Sequence, residues 1–234
     1  MFSMPYEKDC ALLFDMNGLI FETELAYQRS WYYAAFEQGI FINEYQYTEL
    51  IGISEEESYK IIENLYRSKI DMVRFKAVRE AYYLNLTSTV PVFKRGFRDL
   101  FDQAIENGIP CVLVTSSPYQ CIEFNFSKTD LLEKFELIIS GEDLRFQKVT
   151  SETYHFISTK LKLPTRKCIV FERSNYRIKA SRMAGCTTIM VPDLEAPCHY
   201  SKKYAHRIFL SLAEVNLQGL RDSLKMSSYA MSFQ

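Results

Sequence analysis

Short apolar runs recur along the chain, and most of them are separated by longer stretches with helical periodicity. Five such runs lie at residues 10–14, 111–114, 137–139, 168–171 and 187–191. Runs that are apolar at successive positions indicate strands covered on both faces, as in a parallel sheet whose strands are connected by helices. Helices are indicated at 97–107 and 175–184, each followed by a glycine suited to the left-handed residue after a helix end. The pattern predicts an α/β fold with a doubly wound parallel sheet.

The interval between the first two runs has a different pattern. Helical periodicity appears at 22–38, 54–66 and 72–86, with no convincing strand. We therefore expect an inserted all-helical domain at residues 21–90, while residues 1–20 and 91–234 form the α/β core domain. Ser54 and Glu57 have the spacing of a capping box at the start of one of these helices.

Four of the apolar runs end on a polar residue that is placed to meet a ligand. These residues are Asp15, Thr115, Glu172 and Asp193. Ligands of open α/β sheets bind at the carboxyl ends of the strands, so these side chains are expected to share one cleft. Asp15 begins the turn Asp-Met-Asn-Gly. A carboxylate there can act as a nucleophile or hold a cation, and the alternative is a turn aspartate that binds its own backbone.

Composition narrows the choice of partners. The chain has 234 residues, with 28 basic and 29 acidic side chains and a formal net charge of -1. This balance provides no chain-wide basic field for nucleic acid or anionic lipid. No apolar run approaches the ~18 residues of a membrane span, and the first run is too short for a signal peptide. Six cysteines without a CxxC pair are typical of buried free thiols, so we expect a cytoplasmic protein. Because of the charge balance and the short apolar runs, we expect no nucleic-acid or membrane partner.

Four motifs, in order along the chain, resemble those of one protein family. FDMNGLIFETE at 14–24 resembles the FDMDGxIxDTE opening of the haloacid dehalogenase (HAD) superfamily, in particular its β-phosphoglucomutase-like phosphatases with a helical cap. VLVTSS at 112–117 resembles the second motif, and Lys148 in GEDLRFQK resembles the third-motif lysine. VFERSNYRIKASRMAGCTTIMVPD at 170–193 resembles the fourth motif, VFEDSxxGxxAAxxAGMxxIxVPD. The resemblance covers roughly residues 11–220 and implies a Rossmann-like core with an inserted α-helical cap domain.

The resemblance also implies catalytic and phosphate-binding roles. In the family, the first aspartate attacks phosphorus to form an aspartyl-phosphate, and the residue two positions later donates a proton to the leaving group; these positions are Asp15 and Asn17 here. Thr115, with the neighbouring Ser116, matches the phosphate-binding position, and Lys148 matches the lysine that orients the nucleophile. An asparagine cannot give or take a proton, and a positioned acid/base typically contributes ~10²- to 10⁴-fold to the rate. Impaired catalysis is therefore expected.

Magnesium is the cofactor that the resemblance implies. In the family it is bound by the nucleophile, by the backbone carbonyl of the second position and by the fourth motif; the matching ligands are Asp15, Asn17 and Glu172. Arg173 replaces the aspartate expected after Glu172, so the expected cofactor is a weakly bound Mg²⁺ or none. Arg173 either takes the cation position, pairs with Asp15 and binds an anion there, or points to solvent. The cost of burying an uncompensated carboxylate favours the pair.

The cap loop and the third motif depart from the sugar phosphomutases of the family. Glu55 stands where those enzymes carry a phosphate-binding arginine, and QKVTSE at 147–152 replaces the usual KPxPE. A sugar-phosphate mutase is therefore disfavoured.

Two functions stay open on this sequence. The first is a phosphatase-type hydrolase that removes phosphate from a small metabolite through an aspartyl-phosphate at Asp15, with impaired or metal-independent activity. The second is a catalytically inactive binding or regulatory protein with the same fold, and a metal-independent dehalogenase-like hydrolase is a less favoured third. The expected ligand is a small phosphorylated molecule or another anion, and a protein partner becomes an option if catalysis is lost. If only Asn17 and Arg173 block catalysis, changing both to aspartate is expected to produce magnesium-dependent phosphatase activity.

Overall fold

A six-stranded parallel sheet forms the centre of the computed structural model, which describes residues 9–51, 53–88, 92–144, 148–222 and 224. The strands are β1 Ala11–Phe14, β2 Cys111–Val114, β3 Leu137–Ile139, β4 Cys168–Glu172, β5 Thr187–Met190 and β6 Arg207–Ile208. Their spatial order is β3-β2-β1-β4-β5-β6. The chain thus starts in the middle of the sheet and builds outward in both directions, which confirms the predicted doubly wound α/β fold. The first five strands lie in the apolar runs, whereas β6 has two exposed residues and follows no apolar pattern.

The position of β1 determines where the candidate site lies. Leu13 is aligned with Val112 of β2 on one side and with Val170 of β4 on the other. Leu13 packs into the hydrophobic core on one face of the sheet, and its neighbour Phe14 packs into the core on the other face. Because β1 is central, Asp15 follows it between the carboxyl ends of two neighbouring strands.

Helices cover both faces of the sheet and fill the interval between β1 and β2. The α-helices are α1 Glu24–Phe36, α2 Glu44–Thr48, α3 Glu55–Tyr66, α4 Met72–Leu86, α5 Phe97–Glu106, α6 Tyr119–Phe126, α7 Ser151–Leu161, α8 Asn175–Met183 and α9 His199–Tyr204. Helices α1, α3, α4, α5 and α8 lie where the periodicity predicts helices. The short helix α2 is not predicted, because its five residues depend on local bonds: Asn43 and Gln46 form a capping box at its start.

Helices α1 to α4 have a hydrophobic core of their own, and we call this group of helices the cap. Trp31 of α1 and Phe75 of α4 are fully buried there, with ring centroids 5.5 Å apart. Tyr59 of α3 packs on both rings. The division into domains at 20/21 and 90/91 stays a prediction, and residues 89–91 lie outside the described part of the chain.

Two helix starts bring site residues into place. The Ser54 hydroxyl accepts a hydrogen bond from the Glu57 backbone N–H at the start of α3. The predicted capping box is only half formed there, because the Glu57 carboxylate contacts Lys148 of the core instead. The Ser174 hydroxyl accepts a hydrogen bond from the Arg177 N–H at the start of α8. Gln147, which precedes Lys148, falls in a gap of the described residues.

Two expectations from the sequence concern the burial of the cysteines and the absence of a membrane-spanning segment. All six cysteines are free; four are buried as predicted, but Cys121 and Cys198 are exposed. The prediction of burial was wrong for these two, which lie in the first turn of α6 and at the residue before α9. None of the helices within the described ranges is long and apolar enough to cross a membrane.

Candidate functional site

A cavity of about 380 Å³ lies between the carboxyl ends of the central strands and the cap. Its core side includes Asp15, Asn17, Ser116, Ser117, Arg173 and Arg177. Its cap side includes Tyr27, Tyr47, Glu55, Arg79, Glu80 and Tyr83. Of the four strand-end residues expected to share one cleft, only Asp15 lines this cavity, opposite a cap surface rich in tyrosine; Asp193 pairs with Lys94 instead.

Asp15 is bound by two arginines. Arg177 Nη1 donates a hydrogen bond to Asp15 Oδ1 over 2.6 Å, and Arg173 Nε lies 3.4 Å from Asp15 Oδ2. The Asp15 side chain is only 5% exposed. Each carboxylate oxygen therefore faces a guanidinium group in surroundings that exclude most water. Of the two arrangements considered for Arg173, the structure has the pair with Asp15.

Arg177 connects Asp15 to the neighbouring strands. Its Nη1 also donates to Glu172 Oε1 at 3.2 Å and to the Val114 backbone oxygen at 3.3 Å, while its Nη2 donates to Ser116 Oγ at 3.1 Å. The guanidinium thus holds the ends of β1, β2 and β4 together. Its position follows from helix α8, whose first turn directs the side chain back over the sheet.

Arg173 connects the same site to the cap. Its Nε donates to the Asn17 backbone oxygen over 2.5 Å, and its Nη2 donates to Glu24 Oε1 over 2.8 Å, at the start of α1. Burial raises the pKa of Glu24, and the Arg173 charge acts in the opposite direction. Gly18 makes this approach feasible: it has φ of +71°, and a Cβ there would lie 2.7 Å from Arg173 Cδ and from Glu24 Cγ.

Asn17 uses both ends of its amide within the protein. Its Nδ2 donates to Ser117 Oγ over 2.9 Å, and its Oδ1 accepts from Thr23 Oγ1 over 2.9 Å. The side chain therefore joins the loop after β2 to the entrance of the cap. An amide, unlike a carboxylic acid, has no acidic proton to transfer to a leaving group.

Glu172 is the most deeply buried carboxylate of the site. Its Oε1 accepts from Arg177 and from the Tyr154 hydroxyl, at 3.2 Å and 3.4 Å. Its Oε2 is buried and has no hydrogen-bond partner among the described residues. Burial, together with the negative charge of Asp15, raises the pKa of Glu172 to about 8 despite the opposing charge of Arg177.

Two of the predicted site residues have no hydrogen bond or ion pair with Asp15 or its two arginines among the described residues. Lys148 Nζ lies 2.5 Å from Glu57 Oε2 of the cap, and Lys148 is not part of the cavity lining. The Thr115 hydroxyl is buried and accepts a hydrogen bond from the Ser117 backbone N–H over 3.1 Å. The structure thus brings Asp15, Asn17, Ser116, Glu172 and Arg173 together, places Thr115 directly behind them and leaves Lys148 at the cap.

The sequence interpretation missed Arg177, which has the shortest contact with Asp15. The signal was present in the fourth motif: the eighth position of VFEDSxxGxxAA is glycine, and Arg177 occupies that position in VFERSNYRIKAS. Glu24 was missed in the same way, as the last residue of FDMNGLIFETE. Both residues belong to one chain of ion pairs, in which Arg177 binds Asp15 and Glu24 binds Arg173.

The three oxygen ligands expected for magnesium do not fit a metal ion in this arrangement. Asp15 Oδ1 and Glu172 Oε1 both accept from Arg177, and the Asn17 backbone oxygen accepts from Arg173. Mg²⁺ requires octahedral oxygen coordination at about 2.0–2.1 Å and would meet the guanidinium groups at these atoms. The described ranges contain no group of three or more His, Cys, Asp or Glu residues able to hold a metal ion.

The cap contributes a third arginine to the cavity. Arg79 Nε donates to the Tyr59 hydroxyl over 2.6 Å, and Arg79 Nη2 donates to Glu55. Its guanidinium carbon lies 5.2 Å from the ring centroid of Tyr27 and 5.8 Å from that of Trp31. Glu55, which replaces the arginine of the mutase cap loop, therefore helps to position an arginine from α4.

The fold and the strand-end residues define a class: a capped α/β protein with an aspartate and a glutamate at the ends of adjacent parallel strands. Within that class the chain belongs to the haloacid dehalogenase-like hydrolase family, whose sequence model matches residues 12–191. This confirms the family resemblance found in the motifs.

Similar proteins are found over most of the chain. The phosphorylated carbohydrates phosphatase of Thermotoga maritima is 24% identical over 179 residues, which cover 76% of this chain and 83% of the relative. The fructose-1-phosphate phosphatase YqaB of Escherichia coli is 22% identical over 199 residues, covering 80% and 98%.

Solved structures share the fold. CbbY from Rhodobacter sphaeroides, in complex with xylulose-(1,5)bisphosphate, has a TM-score of 0.73 at 22% identity and covers 90% of this chain and 98% of its own. The β-phosphoglucomutase of Clostridium difficile has a TM-score of 0.76 at 21% identity, covering 94% and 98%. At these identities the likeness extends to the fold alone.

Proposed function

We propose that this chain binds a small phosphorylated molecule in the cavity between cap and core and does not hydrolyse it. The observation that carries the proposal is the Asn17 amide. Asn17 stands at the acid/base position of the family, and its two polar atoms are bound to Ser117 and Thr23. The leaving oxygen of a phosphate ester would receive no proton from this position, which removes about 3–5 kcal/mol of transition-state stabilisation.

The proposed ligand class is supported by the lining of the cavity and by the relatives. Ser116 and Ser117 supply hydroxyl groups on the core side, and Arg173 and Arg177 supply guanidinium groups, which bind phosphate oxygens well. The cavity volume is in the range of small-molecule sites. Relatives include a phosphatase named for phosphorylated carbohydrates and one named for fructose-1-phosphate.

The family residues that this chain retains support ligand binding rather than hydrolysis. Asp15 keeps its place in the cavity lining, but both of its carboxylate oxygens face arginines, since Arg177 Nη1 lies 2.6 Å from Oδ1 and Arg173 Nε lies 3.4 Å from Oδ2. Lys148, assigned by the resemblance to orient the nucleophile, is paired with Glu57. A protein partner for such a non-hydrolysing family member stays a prediction.

Slow, metal-independent phosphatase activity is the second candidate. It is favoured by one observation: Asp15 lines the cavity, and its carboxylate lies between the guanidinium groups of Arg173 and Arg177. A carboxylate in this position can attack phosphorus, so turnover would be limited by departure of the unprotonated leaving group. Aryl phosphates, whose leaving groups need no proton, would show such activity first.

One set of assays separates the two candidates. The full chain is tested with p-nitrophenyl phosphate and with a panel of phosphorylated sugars and carboxylic acids, with and without Mg²⁺, alongside Asp15→Asn. We expect no turnover on any compound, and we expect at least one phosphorylated compound, but not its dephosphorylated form, to raise the thermal unfolding temperature. Turnover that is lost in Asp15→Asn would refute the proposal and support slow hydrolysis.

Two variants test whether the ligand binds in this cavity. Ser116→Ala removes a hydroxyl from the cavity lining and should weaken the shift in unfolding temperature. Ser127→Ala removes an exposed hydroxyl that bonds only to the Phe124 backbone oxygen at the end of α6, and should leave the shift unchanged. If the ligand raises the unfolding temperature of both variants equally, the ligand binds outside this cavity.

A further inference from the structure

Two guanidinium groups lie at the oxygen atoms that hold the metal ion in the family pattern. We propose that Arg173 and Arg177 together replace the divalent cation of the family as a resident pair of positive charges, so that the site is complete without a metal ion. This inference concerns the source of positive charge at Asp15. It is independent of whether the protein hydrolyses its ligand.

The contacts coincide atom by atom with the expected metal ligands. Arg177 Nη1 lies 2.6 Å from Asp15 Oδ1 and 3.2 Å from Glu172 Oε1. Arg173 Nε lies 2.5 Å from the Asn17 backbone oxygen and 3.4 Å from Asp15 Oδ2. The pair therefore covers the nucleophile, the backbone carbonyl and the fourth-motif carboxylate, which are the three ligands assigned to magnesium.

The charge of the pair is comparable to that of the ion and does not depend on pH. A guanidinium group is always protonated in proteins, so the two arginines supply two positive charges. The side chains of Arg177 and Arg173 are 7% and 12% exposed, which keeps solvent screening small. Carboxylates in such a site need a cation, since an unpaired buried charge is very costly.

The surroundings are built to hold the two side chains. Arg177 also donates from Nη2 to Ser116 Oγ and from Nη1 to the Val114 backbone oxygen, and Arg173 Nη2 is bound to Glu24. Gly18 leaves the space through which Arg173 passes. Arg177 stands where the fourth motif has glycine, and glycine there would leave Asp15 and Glu172 without this cation.

The test measures metal binding directly. Mn²⁺ serves as the probe because its electron paramagnetic resonance signal falls when it binds to protein. We expect the wild-type chain to leave the signal of free Mn²⁺ unchanged. The variant Arg173→Asp with Arg177→Gly restores the family motif and should remove part of the free Mn²⁺ signal, with one ion bound per chain. In the same variant, Mg²⁺ should raise the thermal unfolding temperature, with no such effect in the wild type.

Arg182→Gln is the matched control. Arg182 lies on the same helix as Arg177 but donates to the Cys186 backbone oxygen, away from Asp15. This variant should behave as the wild type toward both ions. If Mn²⁺ binding appears in the control as well, the effect does not come from the cation position and the proposal fails.

Two further results would overturn the proposal. One is Mn²⁺ binding by the wild-type chain that is lost in Asp15→Asn. The other is a folded double variant, judged by circular dichroism, that binds no Mn²⁺. If the double variant does not fold, Mn²⁺ binding by the wild-type chain still tests the proposal, because the arginine pair and a bound Mn²⁺ cannot occupy the same position. Turnover without metal would refute the proposed function and leave this inference intact.

Discussion

Lys148 Nζ of the core lies 2.5 Å from Glu57 Oε2 of the cap. The family resemblance assigns this lysine to the nucleophile, yet here it pairs with the first turn of α3, while arginines contact Asp15. Two core cations therefore contact cap carboxylates, since Arg173 also binds Glu24 at the start of α1. The first pair is at the partly exposed edge of the cap and the second is buried.

The Lys148 pair should contribute little to stability. Its side chains are 32% and 43% exposed, and exposed ion pairs contribute about 0–1 kcal/mol. Glu57→Gln and Lys148→Met are each expected to lower the free energy of unfolding in urea by no more than this. Glu56→Gln, which breaks an exposed pair with Lys60 on the same helix, is the control. A loss well above that range would mean that the pair anchors the cap.

Restoring catalysis should require three substitutions. Asn17→Asp with Arg173→Asp, expected from the sequence to restore magnesium-dependent activity, leaves Arg177 on Asp15 and Glu172. We now expect activity on p-nitrophenyl phosphate only when Arg177→Gly is added, because only then are the carboxylates free for Mg²⁺. Steady-state rates of the double and triple variants, with and without Mg²⁺, test this. Equal activity in the two variants would show that Arg177 is no obstacle.

The cap should lose stability when its aromatic core is truncated. Phe75 is fully buried against Trp31, and a Phe→Ala change in a core typically costs about 3–5 kcal/mol. Val73→Ala on the same helix is the control, since Val73 is 82% exposed and exposed substitutions change stability by about 0.5 kcal/mol or less. Urea unfolding followed by circular dichroism measures both. Similar losses in the two variants would contradict the packing described for the cap.

Two glycines separate backbone strain from steric overlap. Gly39 and Gly96 both have positive φ, at +68° and +84°, so alanine at either should cost about 1–2 kcal/mol. At Gly96 a Cβ would also lie 2.0 Å from the Ala213 backbone nitrogen, whereas at Gly39 nothing lies within 4 Å. Gly96→Ala should therefore lower the thermal unfolding temperature clearly more than Gly39→Ala. Equal losses in the two variants would mean that the backbone around Ala213 moves away from residue 96 at little cost.

Stability should fall in mild acid because of His206. Partial desolvation of the imidazole, and next the positive charge of Arg182, lower the pKa of His206 below its ordinary value of 6.5. The folded state then binds fewer protons than the unfolded chain, so stability is full above pH 6.5 and decreases as the pH falls below it. Unfolding in urea at pH 7.5 and pH 5.5 should show a smaller difference in His206→Gln than in the wild type. The exposed His155→Gln should keep the full difference.

The sequence predicted most of the sheet because its signals are local. The run at 168–171 is apolar throughout, and a buried parallel strand requires that pattern whatever its neighbours are. Strand β6 has two exposed residues, so its pairing with β5 depends on position in the fold. Helix α2 likewise depends on the bonds of Asn43 and Gln46 rather than on periodicity.

The sequence predicted only part of the site, because the rest depends on contacts between distant parts of the chain. Asp15 and Glu172 follow or end apolar strands, so their meeting at one edge of the sheet follows from the fold class. The bond between Arg177 and Asp15 spans 162 positions and depends on the direction of a long side chain from α8. The pairing of Lys148 with Glu57 depends on where the cap lies over the core. Neither relationship leaves a periodic pattern in the sequence.

The arginine pair also changes how the cleft depends on its surroundings. A bound magnesium ion exchanges with the solution, so a site that needs it is empty in some molecules whenever the free ion is scarce. Arg173 and Arg177 are covalent parts of the chain and accompany every folded copy. Chelators, competing metals and changes in ion concentration therefore cannot remove the positive charge beside Asp15. The electrostatic field at Asp15 is set when the protein is synthesised.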